Sequence, residues 1–350
     1  MVSSLSPQPV MDRPVPLASP VARRRHPALV PWIVLGLVAV LDAVWLTCAG
    51  VGLTATQLPS LLLRVALLGG LLVLGWAAPA GSWRARLGLL GETLLRFLAL
   101  TTSAGILSYL VLTLHRPLID PLLAQADAAL GVPYMAWFVW VEAHPQVAEI
   151  LTSAYLTTWL QLVVCLVVLA LGQQRARLQE LFWAIALALG VILPLSGAFP
   201  AQSAWVTYGL TARVPPWAMQ WYPLFHGFQT GILRTIDLTS IEGLITFPSF
   251  HTTMGILLTA SLRPYRLVFP LALALNALMI VSVPTQGGHY VVDVLAGAVV
   301  AGLALWGAQW LLQGETAVGP RTWRRRFRPD KASATASPQA RMVSDRTVSP

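Results

Sequence analysis

The sequence predicts an all-α, polytopic membrane helical bundle of about eight transmembrane helices, and three observations carry that prediction. Hydrophobic residues make up 56% of the 350-residue chain and charged residues 11%. The charged residues fall between apolar runs of roughly 20 residues, the length a helix needs to cross a hydrocarbon core of about 30 Å. The basic residues between those runs alternate, dense in one set of connections and sparse in the other. A formal charge of +9 spread over a folded surface would point to nucleic acid. Here most of it sits in the tails and in alternate loops, where it serves topology, so the expected partners are the bilayer and its lipids and not nucleic acid.

Residues 1–27 are rich in Pro, Ser and Arg without apolar periodicity and read as a disordered cytoplasmic tail. Arg23, Arg24 and Arg25 then precede an apolar run from Ala28 to Leu53. That run is longer than the roughly 7–15 residues of a cleavable signal segment, so it reads as a first, uncleaved span. Further runs at 57–79, 92–114, 147–171, 180–199, 244–262, 267–284 and 288–313 complete eight. Two N-terminal helices thus occupy 28–91, a six-helix catalytic core occupies 92–313, and a basic, then Ser/Ala/Pro-rich tail fills 314–350.

Arg84, Arg86, Arg175, Arg177, Arg263 and Arg266 share one side with both tails, and the other side receives Arg116, Arg213 and Arg234. The positive-inside rule then predicts a multi-pass plasma (inner) membrane protein with both termini cytoplasmic. The cluster of Arg321, Arg324, Arg325, Arg326 and Arg328 suits anionic lipid at that surface. Cys48 and Cys165 fall inside apolar runs and read as small core residues, not a disulfide framework.

Two outer segments exceed simple turns. Between His115 and Pro145, Leu118, Leu122, Leu123, Ala126, Ala129 and Leu130 recur at helical spacing with Asp120 and Asp127 on other faces. That pattern predicts an amphipathic helix lying in the interface, followed by an aromatic anchor at Trp137, Phe138 and Trp140. The second segment, about 199–242, holds Trp205, Tyr208, Trp217, Trp221, Tyr222, Phe225 and Phe228 among prolines, a density that fits the headgroup level and a cover over a site.

The chemistry concentrates between Gly243 and Gly302. If 244–262 and 267–284 cross and return, His251 and His289 meet at one face of the membrane, opposite the basic turn at Arg263. Asp293 lies one helical turn after His289, so its carboxylate can orient that imidazole. An oriented histidine is a usable nucleophile or base. His251 follows Pro248 and Ser249 at a helix head, where free N–H groups and the dipole favour an anion and where proline suits the first turn. One imidazole to attack, one to protonate a leaving group and a helix end for an oxyanion suggest phosphoryl transfer without metal or other cofactor. From His251 to Arg263 is about 18 Å of helix, so the site should lie below the outer headgroups. For the phosphate itself, Arg234 is the first candidate grip, Arg116 the second and Arg213 the third. His115, His144 and His226 read as interfacial side chains, and Asp42 and Glu149 as polar groups that seek helix partners.

The stretches FPSFHTT and GGHYVVDVLAG resemble two signature motifs of the type-2 phosphatidic acid phosphatase superfamily. Pro248, Ser249 and His251 match the first, and Gly287, His289, Asp293 and Gly297 the second. The resemblance implies a phosphatidic acid phosphatase-like six-helix core in which His289 forms a phosphohistidine, Asp293 partners it, His251 is the acid for the leaving group and Ser249 binds phosphate. It implies a lipid phosphatase or phosphotransferase acting on a lipid-linked phosphate ester. Ser282 and Val283 stand where the family's phosphatases usually carry Ser-Arg, and the earliest motif has no clear match, since Tyr109 lies where a lysine is expected before Arg116 and Pro117. The RPxxDxxL stretch from Arg116 instead resembles the branch containing inositol phosphorylceramide synthases, which implies an alcohol acceptor as the alternative to water. Two rivals stand beside this reading. One is a non-enzymatic lipid-binding or transport protein; the other is a metal-dependent hydrolase, which the shortage of ligands beyond Asp293 argues against.

Overall fold

The computed structural model describes residues 29–79 and 81–313, so both tails, with Arg23–Arg25 and the Arg321 cluster, lie outside the described residues. The elements in chain order are α1 (Val30–Ala49), β1 (Gly52–Thr54), α2 (Leu58–Trp76), α3 (Trp83–Leu110), α4 (Asp120–Ala129), α5 (Tyr134–Glu142), α6 (Pro145–Leu156), α7 (Thr158–Leu171), α8 (Arg175–Ala198), α9 (Ala204–Thr207), α10 (Trp221–Gln229), β2 (Thr235–Asp237), α11 (Phe250–Leu262), α12 (Val268–Gly287) and α13 (Val291–Gln313). This is the expected all-α polytopic bundle. Six helices are long and apolar enough to cross a membrane, and eight if each of two bent pairs is one span.

The bends have local causes. Helices α6 and α7 meet at 46°. At that joint the hydroxyls of Thr157 and Thr158 bond back to the Ala154 and Tyr155 carbonyls and compete with the helical ladder. Helices α4 and α5 meet at 91°, across Gly131 with φ +72° and then Pro133. The run expected to span 244–262 is helical only over the 13 residues of α11. Phe247 and Pro248 precede the helix, whose N-cap is Ser249, so Pro248 stands outside the first turn where the sequence had put it.

The core gathers around α11. Met254, Leu257 and Leu258 are buried there, with Leu166 and Leu169 of α7, Ile185 and Ile192 of α8 and Ala301 and Ala304 of α13 in the same cluster. At the far end of α11, Arg263 donates to Glu180 (2.7 Å), which also takes Arg177 (2.5 Å) and Gln309 (2.9 Å). Arg177 and Arg263, from two of the expected basic loops, therefore meet at the end of the bundle opposite His251.

Three features depart from the sequence reading. A short parallel pairing of β1 with β2 ties the chain after α1 to the outer segment, and Asp237 accepts from Thr56 and Thr239 beside it. Those hydroxyls hold the Asp237 carboxyl well below its ordinary range. The α4 helix is not an interfacial one with its acids outward: Asp120 and Asp127 are buried while Leu122 and Leu130 are exposed. The reason is that bundle N–H groups are stronger claimants for a carboxylate than lipid is for a leucine. Finally, Trp205, Phe225 and Phe228 are core residues instead of a headgroup belt, and Cys48 is exposed while Cys165 is buried.

Candidate active site

The two motif stretches interlock. Ser249 caps α11 by accepting from Thr252 N (3.3 Å), and its own N–H donates to the Asp293 carbonyl (3.0 Å). One turn on, Thr253 Oγ1 donates to the Gly297 carbonyl (2.9 Å). The crossing is so close that a Cβ at Gly297 would lie 2.3 Å from the Ser249 carbonyl oxygen, so only glycine fits. This crossing is what fixes His251 relative to His289.

His251, in the first turn of α11, and His289, in the three-residue link between α12 and α13, have ring centroids 6.5 Å apart. Near-attack distances are about 3–3.5 Å, so a single phosphoryl group between the rings would be within reach of both. His289 is 4% exposed and contacts Asp293 Oδ2 through Nδ1 at 3.3 Å, and the Thr246 backbone is a further hydrogen-bond partner of its ring. Asp293 is fully buried; Oδ2 also accepts from Tyr290 N (2.9 Å), and Oδ1 has no hydrogen-bond partner among the described residues. On the other side His251 stacks on Tyr155 of α6, with centroids 4.4 Å apart, and the phenol oxygen lies 3.5 Å from His251 Nδ1.

The link that carries His289 is clamped from α4. Asp127 accepts from the first two N–H groups of α13, Val291 (2.8 Å) and Val292 (2.9 Å), where a carboxylate satisfies orphan donors and complements the helix dipole. Asp120 accepts from Tyr290 OH (3.1 Å), from the backbone of Gln202 (2.9 Å) and Ser203 (3.1 Å), and from Thr207 Oγ1 (3.3 Å). Ser203 in turn donates to the carbonyl of Gly288 (2.8 Å). Gly288 ends α12 in the left-handed conformation (φ +67°), and a side chain there would strike Ser203 and Trp205. Residues from α4, from the 203–207 segment and from α13 thus converge on one short link.

The model of the PAP2 superfamily matches residues 121–307, more than half of the chain. The chain belongs to the PAP2 superfamily. No curated protein and no solved structure matches it. PAP2 proteins are phosphatases or phosphotransferases, and membership makes this chain a membrane enzyme of that broad type.

For a PAP2 protein the position of the cations matters, and here the structure separates what the sequence had grouped. Arg234 donates to the Ala49 carbonyl at the end of α1 (3.0 Å). Arg116 lies at the mouth of a cleft between α1, α3 and α8, and Arg213 pairs with Glu142. Among the described residues, no contact joins any of these arginines to the histidines. His115 and His144 bond to the Gln229 and Trp140 carbonyls, and His226 is exposed. Asp42 is buried in α1, and Glu149 is exposed. What sequence reasoning missed is the support: Tyr155, Tyr290, Ser203 and the inward turn of Asp120 and Asp127. The one legible signal was two acids on a helix otherwise rich in Leu and Ala.

Proposed function

We propose that this PAP2 protein is a lipid phosphatase acting on a lipid-linked phosphate ester at the outer leaflet through a phosphohistidine on His289. The observation that carries the reading is the 6.5 Å approach of the two imidazoles with Asp293 on the Nδ1 of one of them. His289 Nε2 attacks phosphorus and the P–O bond to the lipid breaks, while His251, as imidazolium, gives its proton to the departing alkoxide. His251 then takes a proton from water, whose oxygen attacks phosphorus as the P–N bond breaks; inorganic phosphate leaves and His289 is regenerated.

Asp293 orients His289 and stabilises the positive charge that develops on it. The Ser249 hydroxyl and the free N–H groups at the head of α11 hold phosphoryl oxygens. Ser249 Oγ already receives Thr252 N, which leaves Phe250 and His251 N–H as the donors for an anion. Arg234 and Arg116, tied to Ala49 and to the cleft, are left out of this grip. The gathering of Arg177 and Arg263 at the opposite end supports an orientation with the termini cytoplasmic and the site extracytoplasmic.

Replacing water with an alcohol turns the same steps into phosphotransfer, as the inositol phosphorylceramide synthase-like branch would require. Of the residues behind that likeness, Asp120 holds the His289 link while Arg116 and Pro117 line the cleft, so none of them is in contact with the two imidazoles where an acceptor would bind. The test is to incubate purified protein with radiolabelled phospholipid monoesters, with and without polyol or lipid alcohols, and to quench under alkaline conditions that preserve phosphohistidine. Label on the protein, absent in His289→Ala and accumulating in His251→Ala, is the expected result. His251→Ala should slow turnover by about 10²–10⁴-fold. Full turnover in His289→Ala would overturn His289 as the nucleophile, and neither trapped label nor phosphate release from the unaltered protein would instead return the chain to a lipid-binding or transport role.

A further inference from the structure

We infer that the cleft between α1, α3 and α8 is a binding site for an anionic diacyl phospholipid, separate from the histidine site. The cleft encloses about 830 Å³ and is walled by apolar side chains such as Trp45, Leu107, Leu189 and Leu193. None of the histidine cluster lines it. Its α8 wall runs from Ala186 to Ala198, about 18 Å of helix, against roughly 15 Å for the hydrocarbon of one leaflet. The space is open on α8 at Gly190, where an added Cβ would meet nothing within 4 Å.

The charge at the mouth chooses the occupant. Arg116 is exposed there, next to Pro117 and Ile119, and is the one charged residue of the lining. Its carbonyl accepts from Gln229, and among the described residues no carboxylate pairs with its guanidinium. An apolar slot one leaflet deep under a permanent cation matches a phospholipid with one acyl chain in the slot and its phosphate on the guanidinium. A zwitterionic lipid brings its own cation to the same place and gains less.

Full-length protein purified in detergent and stripped of lipid should be titrated with dioleoyl phosphatidylglycerol and dioleoyl phosphatidylcholine, with retained lipid counted by native mass spectrometry. Phosphatidylglycerol should bind about fivefold more tightly. Arg116→Gln should erase that preference while phosphatidylcholine binding stays. Gly190→Phe, which fills the slot, should weaken both lipids; should that variant not fold, Gly190→Leu serves the same purpose. Equal binding of the two lipids by the unaltered protein, or a preference that survives both Arg116→Gln and the Gly190 variant, would overturn the inference.

Discussion

At one end of the bundle the buried carboxylates Asp120, Asp127 and Asp293 take their hydrogen bonds from backbone N–H groups, from Thr207, from the Tyr290 hydroxyl and from His289. At the other end Glu180 takes its bonds from the side chains of Arg177, Arg263 and Gln309. Both arrangements satisfy buried acids, but the donors differ in freedom. A backbone N–H on a packed helix is already ordered and cannot swing away, whereas an arginine fork must give up several rotamers to hold its partner. The first arrangement therefore sets positions accurately, and the second fastens helices together with tolerance. The accurate one surrounds the link that carries His289.

Substitutions that break the comparison should separate activity from stability. The largest effect is expected for Asp127→Ala, which strands two N–H groups at the buried head of α13; it should cost about 2–4 kcal/mol and remove nearly all lipid phosphate hydrolysis, checked by thermal unfolding and phosphate release. Next comes Gly297→Ala, where the new methyl group meets the Ser249 carbonyl and forces α11 from α13. A cost of about 1–3 kcal/mol is expected, with activity falling further than stability because the two imidazoles separate. The smallest is Glu180→Gln: its arginine partners keep 31% and 35% of their side-chain surface exposed, so about 1 kcal/mol of stability and little turnover should be lost. Equal damage to catalysis from Glu180→Gln and Asp127→Ala would erase the distinction between the two ends.

Most of the scaffold was legible because a bilayer imposes a coarse length rule that apolar runs either meet or fail. Seven of the eight expected spans correspond to long helices or to the bent α6 and α7 pair, and the eighth shrank to α11. That Ser249, His251, His289 and Asp293 come together was readable from spacing, since a separation of one turn or one helix return is a local property. Of the aromatics at 199–242, Trp205, Phe225 and Phe228 went to the core while Trp217 is exposed, because membrane-interface chemistry and a buried aromatic cluster draw on the same side chains. The arginines lie apart from the histidines for a related reason. Sidedness restricts a cation to a face of the membrane, and it says nothing about which helix end on that face will claim it.

The sequence by itself determined that this chain is a membrane helical bundle and that two histidines and an aspartate of the PAP2 pattern share one end of it, because periodicity and span length are one-dimensional. Only the tertiary structure decided that Asp120 and Asp127 turn inward onto the His289 link, that Tyr155 stacks on His251 and that Arg234 and Arg116 stand apart. Those outcomes depend on which donors a buried carboxylate or ring finds on neighbouring helices, and that competition is settled in three dimensions.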